Sequence, residues 1–296
     1  MERFERQLRQ AEPGFRELID RIPLQATPPL PPEWLRVEML ERSLLLRRVP
    51  DLEGRTVLEV GSGAHAISTV PLAWRVGGAG RVVALERSRW GQFRPVVTAS
   101  GLLERIRPVA GDARRLPLRS DAADLAVCLH GLRSLRGDEN TVRVVREMLR
   151  IAERVVLAES LPIARTDGQR AHLAMYNLRA EVFGASLGVR DDLPYLPLDR
   201  LASLVERAGG ADVEARTEEI DLPHFLGYFP RTLVEAVPRG RRREELLERW
   251  DEAEAMRRRY GADHPPVGIV SARRSRSRFT PGDPERPPPG ARGPAD

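Results

Sequence analysis

The chain has 296 residues, of which 41% are hydrophobic, and its formal net charge at pH 7 is +5. This hydrophobic content is enough for a buried core, and no apolar run approaches the roughly 20 residues of a membrane-spanning helix. The first residues, Met1 to Arg6, lack the apolar core of a secretory signal, so we expect a cytoplasmic, soluble protein. All 48 basic residues are arginine and they are interspersed with 43 acidic ones, which disfavours nucleic acid as a partner.

The first 50 residues are predicted to form a helical extension ahead of the main domain. Residues 1–20 have the pattern of one short amphipathic helix, and residues 23–32 are a proline-rich linker. Between residues 33 and 48 the apolar side chains recur at helical spacing. We expect this second helix to pack on a sheet or to roof a ligand site.

A glycine turn follows the first predicted strand and is the most informative local pattern in the chain. The apolar run Val57–Val60 leads into the turn Gly61–Gly63, and an apolar helical segment begins at Ile67. Glycine lets the backbone turn sharply and approach a ligand closely. The amides at the start of the following helix favour a negatively charged or polar group there. The pattern is typical of a nucleotide-type cofactor site in an open α/β sheet.

Three more apolar strands follow, separated by segments of helical length. They are predicted at 81–86, 106–112 and 124–130, and the first two end in the carboxylates Glu86 and Asp112. Apolar strands that alternate with helices indicate a parallel sheet covered on both faces. Ligands of such sheets bind beyond the carboxyl ends of the strands, where these acids would lie.

Two later runs would complete the sheet with an antiparallel sixth and seventh strand. They lie at 213–222 and 267–272, after a fifth parallel strand at 154–159. The predicted fold class is therefore α/β, with a doubly wound, mostly parallel seven-stranded sheet, N-terminal helices and an inserted helical cover.

The predicted main domain spans residues 51–272, and two of its segments, 161–210 and 223–262, are expected to cover the substrate. Residues 273–296 are rich in proline and charged side chains, and we expect them to be disordered. Helical periodicity in the two covering segments predicts helices at 169–188, 198–208, 230–237 and 241–260.

The order of these strand ends resembles that of the class I S-adenosylmethionine-dependent methyltransferases, a Rossmann-like family, across residues 55–160. The resemblance implies that the first turn and the two following acids bind S-adenosylmethionine. Glu86 stands where the family's acid takes both ribose hydroxyls, and Asp112 stands where an acid accepts the adenine amino hydrogen. The implied cofactor residues are Glu59, Gly61, Ser62, Gly63, His65, Glu86, Asp112 and Ala113.

One position departs from the family pattern. The family usually has a third glycine where this chain carries His65. A side chain there would narrow the methionine end of the cofactor pocket or contact the methionine carboxylate. The alternative is that His65 is an ordinary residue of the first helical turn.

A nicotinamide cofactor is the alternative ligand for the same turn. Its fingerprint places a third glycine where Ala66 stands, which the looser form of the motif tolerates, and Glu86 would suit a ribose contact. That alternative leaves Gly111-Asp112-Ala113 without a role, and a chain without lysine cannot have a Tyr-x-x-x-Lys pair. We therefore favour S-adenosylmethionine.

The methyl acceptor is expected beside the ends of the fourth and fifth strands. The segment His130-Gly131-Leu132-Arg133 resembles one in the ubiquinone and menaquinone ring C-methyltransferases, which implies that Arg133 orients or activates a phenol- or quinol-type acceptor. His130 is the second catalytic candidate, because histidine titrates near neutrality, although ordinary packing is its alternative. The predicted substrate pocket consists of Glu159, His172, Tyr176, His224 and Tyr228.

The predicted function is methylation of a small molecule, which would be the protein's partner. Two alternatives stay open: a catalytically silent scaffold that binds the cofactor, and an RNA or protein methyltransferase. The sequence has neither an Asn-Pro-Pro-Tyr motif after the fourth strand nor an appended RNA-binding module, and it does not define the oligomeric state. No metal site is expected, since the five histidines are scattered along the sequence and Cys128 is the single cysteine.

Overall fold

The structure is a computed structural model that describes residues 1–25, 30–49, 51–88, 90–135, 137–187, 195–225 and 227–275. These residues form one seven-stranded sheet with helices on both faces. The strands are β1 (Thr56–Val60), β2 (Arg81–Glu86), β3 (Ile106–Ala110), β4 (Ala123–Leu129), β5 (Ala152–Ser160), β6 (Gly210–Glu218) and β7 (Val267–Arg274). The helices are α1 (Glu2–Arg9), α2 (Pro13–Arg21), α3 (Trp34–Leu46), α4 (Thr69–Arg75), α5 (Phe93–Ser100), α6 (Asp138–Ile151), α7 (Asp167–Leu187), α8 (Leu198–Ala208), α9 (Arg231–Glu235) and α10 (Arg241–Tyr260).

The strand order across the sheet is β3-β2-β1-β4-β5-β7-β6, and β7 is antiparallel to both of its neighbours. The other pairs are parallel. The chain proceeds outward from β1 to β3 and then returns to place β4 on the other side of β1. Such a switch point leaves a crevice beyond the carboxyl ends of β1 and β4, where ligands of this architecture bind. The predicted fold class is confirmed.

The N-terminal helices belong to the main core. Helices α1 to α3 share a hydrophobic cluster with one face of the sheet, in which Phe15 and Leu40 are buried together with Val57 and Val82. The predicted single helix over residues 1–20 is wrong, because Pro13 begins a second helix, a position that its fixed φ favours. The predicted boundary at residue 50 therefore divides one continuous cluster. Residues 26–29 of the predicted linker lie outside the described residues.

The opposite face of the sheet is covered by α6 and α8. Side chains of successive strand residues point to opposite faces, so Leu58 joins this second cluster whereas Val57 joins the first. The apolar stripe of α8, with Leu201 and Leu204, packs into the second cluster. The prediction that all of 161–210 is substrate cover is therefore wrong for α8, because its stripe packs on the sheet instead.

The remaining helices, α7, α9 and α10, form the helical cover and have an apolar cluster of their own. Phe229, Leu246 and Trp250 are buried in this third cluster. The predicted bounds of α8 and α10 are confirmed, whereas Gly188, the predicted end of α7, lies outside the described residues. Among the helices that the structure describes, none is both long enough and apolar enough to cross a membrane.

The last strand extends beyond its predicted end. Residues 273 and 274 continue β7, where they pair with β5 and β6, so the predicted disorder from residue 273 is wrong for these two. Residues 276–296, the rest of the predicted disordered tail, lie outside the described part of the chain.

Candidate functional site

The glycine turn after β1 lies beside the end of β2, as the parallel register requires. Val60 pairs with Leu85, and the Gly63 amide donates a hydrogen bond to Glu86 Oε2 at 3.2 Å. Gly61 and Gly63 have φ angles of +82° and +67°, which residues with a side chain rarely adopt. A Cβ built on Gly63 would meet no described atom within 4 Å, so this side of the turn is open.

Glu59 is buried beneath the turn, near the end of β1. Thr69 Oγ1 donates a hydrogen bond to Glu59 Oε2 at 2.5 Å, and burial raises the pKa of Glu59 to about 7. Its other oxygen, Oε1, and the buried Ser62 hydroxyl have no hydrogen-bond partner among the described residues. Two buried polar atoms without partners, next to an open glycine turn, suit a polar ligand.

The two acids predicted to bind ribose and adenine lie at neighbouring strand ends. Glu86 is buried at the end of β2, where its Oε1 accepts hydrogen bonds from the amides of Arg87 at 2.9 Å and Ser88 at 3.3 Å. Asp112 follows β3 and is more exposed. Arg114 donates to it through Nη2 at 2.5 Å and Nε at 3.1 Å, which lowers the pKa of Asp112 to about 2. A ligand at Asp112 would share its carboxylate with Arg114.

His65 follows the glycine turn in the chain, and Ala113 follows Asp112. The His65 ring packs edge-on against Trp34 of α3, with ring centroids 5.2 Å apart, and burial lowers the pKa of His65. Ala113 packs, half-buried, against the cluster beneath α6. The contact between His65 and Trp34 ties the glycine turn to α3.

Helix α3 carries three charged side chains into the core. Glu38, Glu41 and Arg42 are each at most 2% exposed. Arg42 Nη2 is 3.7 Å from Glu38 Oε2, and Arg42 Nη1 contacts Glu41 Oε2. Burial lowers the pKa of Arg42 to about 10, so the guanidinium is still charged at neutral pH.

Histidines from three other parts of the chain surround these charges. His130 Nε2 lies 3.2 Å from Glu41 Oε1, and His264 Nε2 lies 3.5 Å from the same oxygen. His224 Nδ1 lies 3.3 Å from Glu38 Oε1. We call His130, His172, His224 and His264, with Glu38, Glu41 and Arg42, the histidine cluster. Because the fold gathers four of the five histidines, the premise that they are scattered is wrong in three dimensions.

His172 connects the histidine cluster to two tyrosines. Its ring is 4.6 Å from that of His224 between centroids, and its Nε2 lies 3.1 Å from Tyr195 Oη. The rings of Tyr176 and Tyr195 stack at 4.0 Å with an interplanar angle of 13°. The predicted pocket residues His172, Tyr176 and His224 are thus brought together, with Tyr195 as an additional member.

His130 lies inside the histidine cluster, and its side chain is only 1% exposed. Ser160 Oγ is 3.3 Å from Nδ1 on the side of the ring opposite Glu41. The backbone φ of His130 is +55°, a strained value for a residue with a side chain, of the kind that occurs at functional sites. Burial holds the pKa of His130 well below its usual value, so the ring is neutral at neutral pH.

Glu159 ends β5 next to the segment that follows β4. Its Oε1 accepts a hydrogen bond from the Leu132 amide at 2.7 Å. Burial raises the pKa of Glu159 to about 7, although the nearby charge of Arg133 acts in the opposite direction. The predicted residues Glu159 and Arg133 are therefore electrostatic neighbours.

Tyr228 is the predicted pocket residue that lies apart from the others. The guanidinium of Arg257 lies over its ring, 4.7 Å from the centroid, and the ring packs on the apolar cluster of the helical cover. Its contacts among the described residues are therefore with the cover.

Solved structures resemble this chain over most of its length. A cyclopropane-fatty-acyl-phospholipid synthase-like protein from Lactobacillus casei matches with a TM-score of 0.66 and 16% identity, covering 87% of this chain and 97% of that chain. The [4+2]-cyclase SpnF matches with a TM-score of 0.50 and 19% identity, covering 80% and 81%. A SAM-dependent methyltransferase from Aquifex aeolicus matches with a TM-score of 0.47 and 16% identity, covering 80% and 91%.

The fold is that of the class I methyltransferases. No protein-family model matches the sequence, and no curated protein matches it either. At identities this low the likeness is one of fold. The resemblance of residues 130–133 to quinone methyltransferases stays a prediction.

Several residues of the candidate site could not be recognised from the sequence. In α3, the charges at 38, 41 and 42 share one face of an otherwise apolar helix, which is a signal for a buried polar site. Tyr195 and His264 stand in loops, before α8 and before β7, without any local pattern.

Proposed function

We propose that the protein is an S-adenosylmethionine-dependent methyltransferase that acts on a small molecule. The proposal is carried by the crevice at the switch point, where the turn Gly61–Gly63 and Glu86 meet through a hydrogen bond and Asp112 follows the next strand. Glu59 Oε1 and the Ser62 hydroxyl, both buried without partners among the described residues, offer further contacts. Neighbours of this fold include SAM-dependent methyltransferases, which supports the choice of cofactor.

These residues would hold the cofactor in the way that the resemblance implies. Glu86 would accept hydrogen bonds from the ribose hydroxyls. Asp112 would accept a hydrogen bond from the adenine amino group while it keeps its contact with Arg114. The open side of Gly63 leaves room for a ligand close to the backbone. His65, packed on Trp34, would border the methionine end.

Methyl transfer from a sulfonium is an in-line displacement, so the protein mainly positions the acceptor and removes a proton where one must leave. S-adenosylmethionine supplies the activated methyl group when it is bound. Arg133 and His130 are our candidates for orienting and deprotonating the acceptor. Glu159 joins them, because a pKa of about 7 matches a group that exchanges protons near neutrality. His172, Tyr176 and His224 would line the acceptor side, and Tyr228 would take part through the cover.

The variant Glu86→Gln tests the cofactor site. It keeps the shape of the side chain but removes the charge, and a hydrogen bond to a charged group contributes about 1.5–3 kcal/mol. We therefore expect the affinity for S-adenosylhomocysteine, measured by titration calorimetry, to fall by roughly 10–100-fold. The matched control is Glu153→Gln, an exposed residue near the start of β5 at the opposite edge of the sheet. Equal affinity of Glu86→Gln and the wild type would rule out this site.

The acceptor class is tested by turnover. We expect release of S-adenosylhomocysteine from S-adenosylmethionine when phenols or quinols are supplied, and Arg133→Gln should lower kcat while cofactor affinity stays at the wild-type value. If other small molecules are methylated but phenols and quinols are not, the proposed acceptor class is wrong, whereas the proposed methyl transfer stands. Tight cofactor binding without turnover on any acceptor would favour the silent-scaffold alternative.

A further inference from the structure

Three side chains of the histidine cluster offer a set of metal ligands. One ligand atom from each of Glu41, His130 and His264 lies within 4.8 Å of the others, and the side chains are at most 1% exposed. They come from α3, from the residue after β4 and from the loop before β7. We propose that they bind one divalent transition-metal ion with Zn²⁺-like preferences, at a site separate from the glycine turn. His130 would then serve as a metal ligand, and the removal of a proton from the acceptor would fall to Glu159.

The spacing of the ligand atoms fits a single central ion. With metal–ligand bonds of about 2.0–2.1 Å, two ligands of a tetrahedral site lie about 3.4 Å apart. Glu41 Oε1 is 3.2 Å from His130 Nε2 and 3.5 Å from His264 Nε2. Both distances lie close to the tetrahedral value, and all three ligand atoms lie within 4.8 Å of one another.

The hydrogen bond on the far side of His264 turns a lone pair towards Glu41. His264 Nδ1 lies 2.6 Å from the Pro265 carbonyl oxygen, which can only accept, so Nδ1 carries the proton. In the neutral ring, Nε2 is then an acceptor that faces a carboxylate oxygen and has no hydrogen-bond partner among the described residues. Two acceptors that face each other are stabilised by a cation between them. A ring N–H donated to a backbone carbonyl is typical of metal-ligating histidines.

His130 has a matching second contact. Ser160 Oγ lies 3.3 Å from His130 Nδ1, so the hydroxyl can accept the ring proton and leave Nε2 free to bind a metal. Each of the two histidines thus has one nitrogen held by a protein oxygen and the other directed at the same carboxylate oxygen. This is the arrangement that orients imidazole ligands around a metal.

Two buried carboxylates, Glu38 and Glu41, stand against the positive charges of Arg42 and Arg133 around the three ligands. The Arg42 guanidinium contacts Glu41 Oε2, whereas Glu38 Oε2, 3.7 Å from it, lacks a hydrogen-bond partner in the part of the chain that the structure describes. A buried carboxylate without full compensation is costly. Both ring nitrogens of His224 also lack such a partner, and its ring lies 4.1 Å from that of His264 between centroids. Two histidines and one carboxylate with a further position open are a known zinc ligand set.

Metal content of the purified full-length chain is the direct test. The untagged protein is produced in minimal medium supplemented with Zn²⁺ or with Co²⁺, freed of loosely bound ions by dialysis, and analysed by plasma mass spectrometry. We expect about one ion per folded chain, and the Co²⁺ protein should show the visible absorption of a tetrahedral site. A folded protein that retains neither ion would overturn the proposal, and the cluster would then be a metal-free network of histidines and carboxylates.

Ligand variants locate the ion. Glu41→Gln and His264→Gln should each reduce affinity for Co²⁺ by more than the roughly 10–100-fold that loss of an outer-shell partner costs. His65→Gln changes the one histidine outside the cluster and should retain about one ion, as the wild type does. Folded ligand variants with wild-type affinity would contradict the assignment. Where a variant does not fold, the Co²⁺ spectrum of the wild-type protein decides, because imidazole and carboxylate ligation are visible in it.

The metal and cofactor experiments have separate readouts. Metal content is measured without S-adenosylmethionine, and S-adenosylhomocysteine binding is measured without added metal. A protein that binds the ion but no cofactor would refute the proposed function and leave the metal site standing. A protein that binds the cofactor but no ion would refute the metal site and leave the proposed function standing.

Discussion

Glu59 illustrates how burial sets the chemistry of a single side chain at this site. Its carboxyl group is enclosed beneath the glycine turn, and Thr69 is the donor to one of its oxygens. Desolvation disfavours the charged form, which is why the pKa rises to about 7. A ligand that donated a hydrogen bond to the other oxygen would favour the charged form again.

This shift predicts a pH dependence of folding stability with a definite sign. The pKa of Glu59 is about 7 in the folded chain, whereas that of an ordinary glutamate is 4.5, so the folded state binds more protons between these values. The free energy of unfolding therefore falls as the pH rises from about 5 to about 7. Glu59→Gln removes this titration, and the stability of the wild type relative to the variant should fall by up to about 3 kcal/mol over that range.

Urea unfolding of the wild type and Glu59→Gln at several pH values between about 5 and about 8 measures this difference. Glu153→Gln, exposed near the start of β5, serves as the control for loss of a carboxyl group. A stability difference between wild type and Glu59→Gln that is constant with pH would show that Glu59 is not held in a desolvated position.

At the scale of elements, α3 joins the two candidate sites, whereas the helical cover contributes His172 to one of them and has an apolar cluster of its own. Trp34 at the start of α3 contacts His65, and Glu41, about two turns further along the helix, contacts His130. The cover instead buries its apolar side chains within α7, α9 and α10, where Trp250 Nε1 donates to the Phe229 carbonyl at 3.3 Å. Separate clusters allow the cover to open locally while the sheet stays folded.

The variant Trp250→Ala should therefore loosen the cover selectively. Removal of a buried tryptophan side chain costs about 3–5 kcal/mol, and here the loss falls on the third cluster. Hydrogen–deuterium exchange should become faster in α9 and α10, whereas amides of β1 and β4 should keep their protection. An equal loss of protection in the sheet would contradict the separation of the two units. Tyr260→Ala, at the more exposed end of α10, is the control.

The helices and strands show which parts of the fold local sequence patterns predict. The bounds of α8 and α10 and the apolar strands of the parallel sheet follow from periodicity, which is a local property. Periodicity does not predict what α8 packs against, because one apolar stripe is equally suitable for a helix of the cover and for a helix that packs on the sheet. No local sequence pattern predicts the histidine cluster as a whole. Its members come from α3, the end of β4, α7 and two loops, which meet only in the folded chain.

At the scale of the whole molecule, both candidate sites lie at the same edge of the sheet. Parallel strands β1, β2, β4 and β5 end there, and α3 crosses from the glycine turn to the histidine cluster. The glycine turn and the acids after β2 and β3 were predictable, because each follows directly from a strand end. Their joint role as a cofactor site is the claim on which the proposed function depends.

Titration calorimetry of the wild-type chain with S-adenosylhomocysteine, and in parallel with NADH, tests that claim most directly. We expect roughly micromolar binding of S-adenosylhomocysteine, about −8 kcal/mol, and no measurable heat with NADH. Binding of NADH, or no binding of S-adenosylhomocysteine by the folded protein, would contradict it.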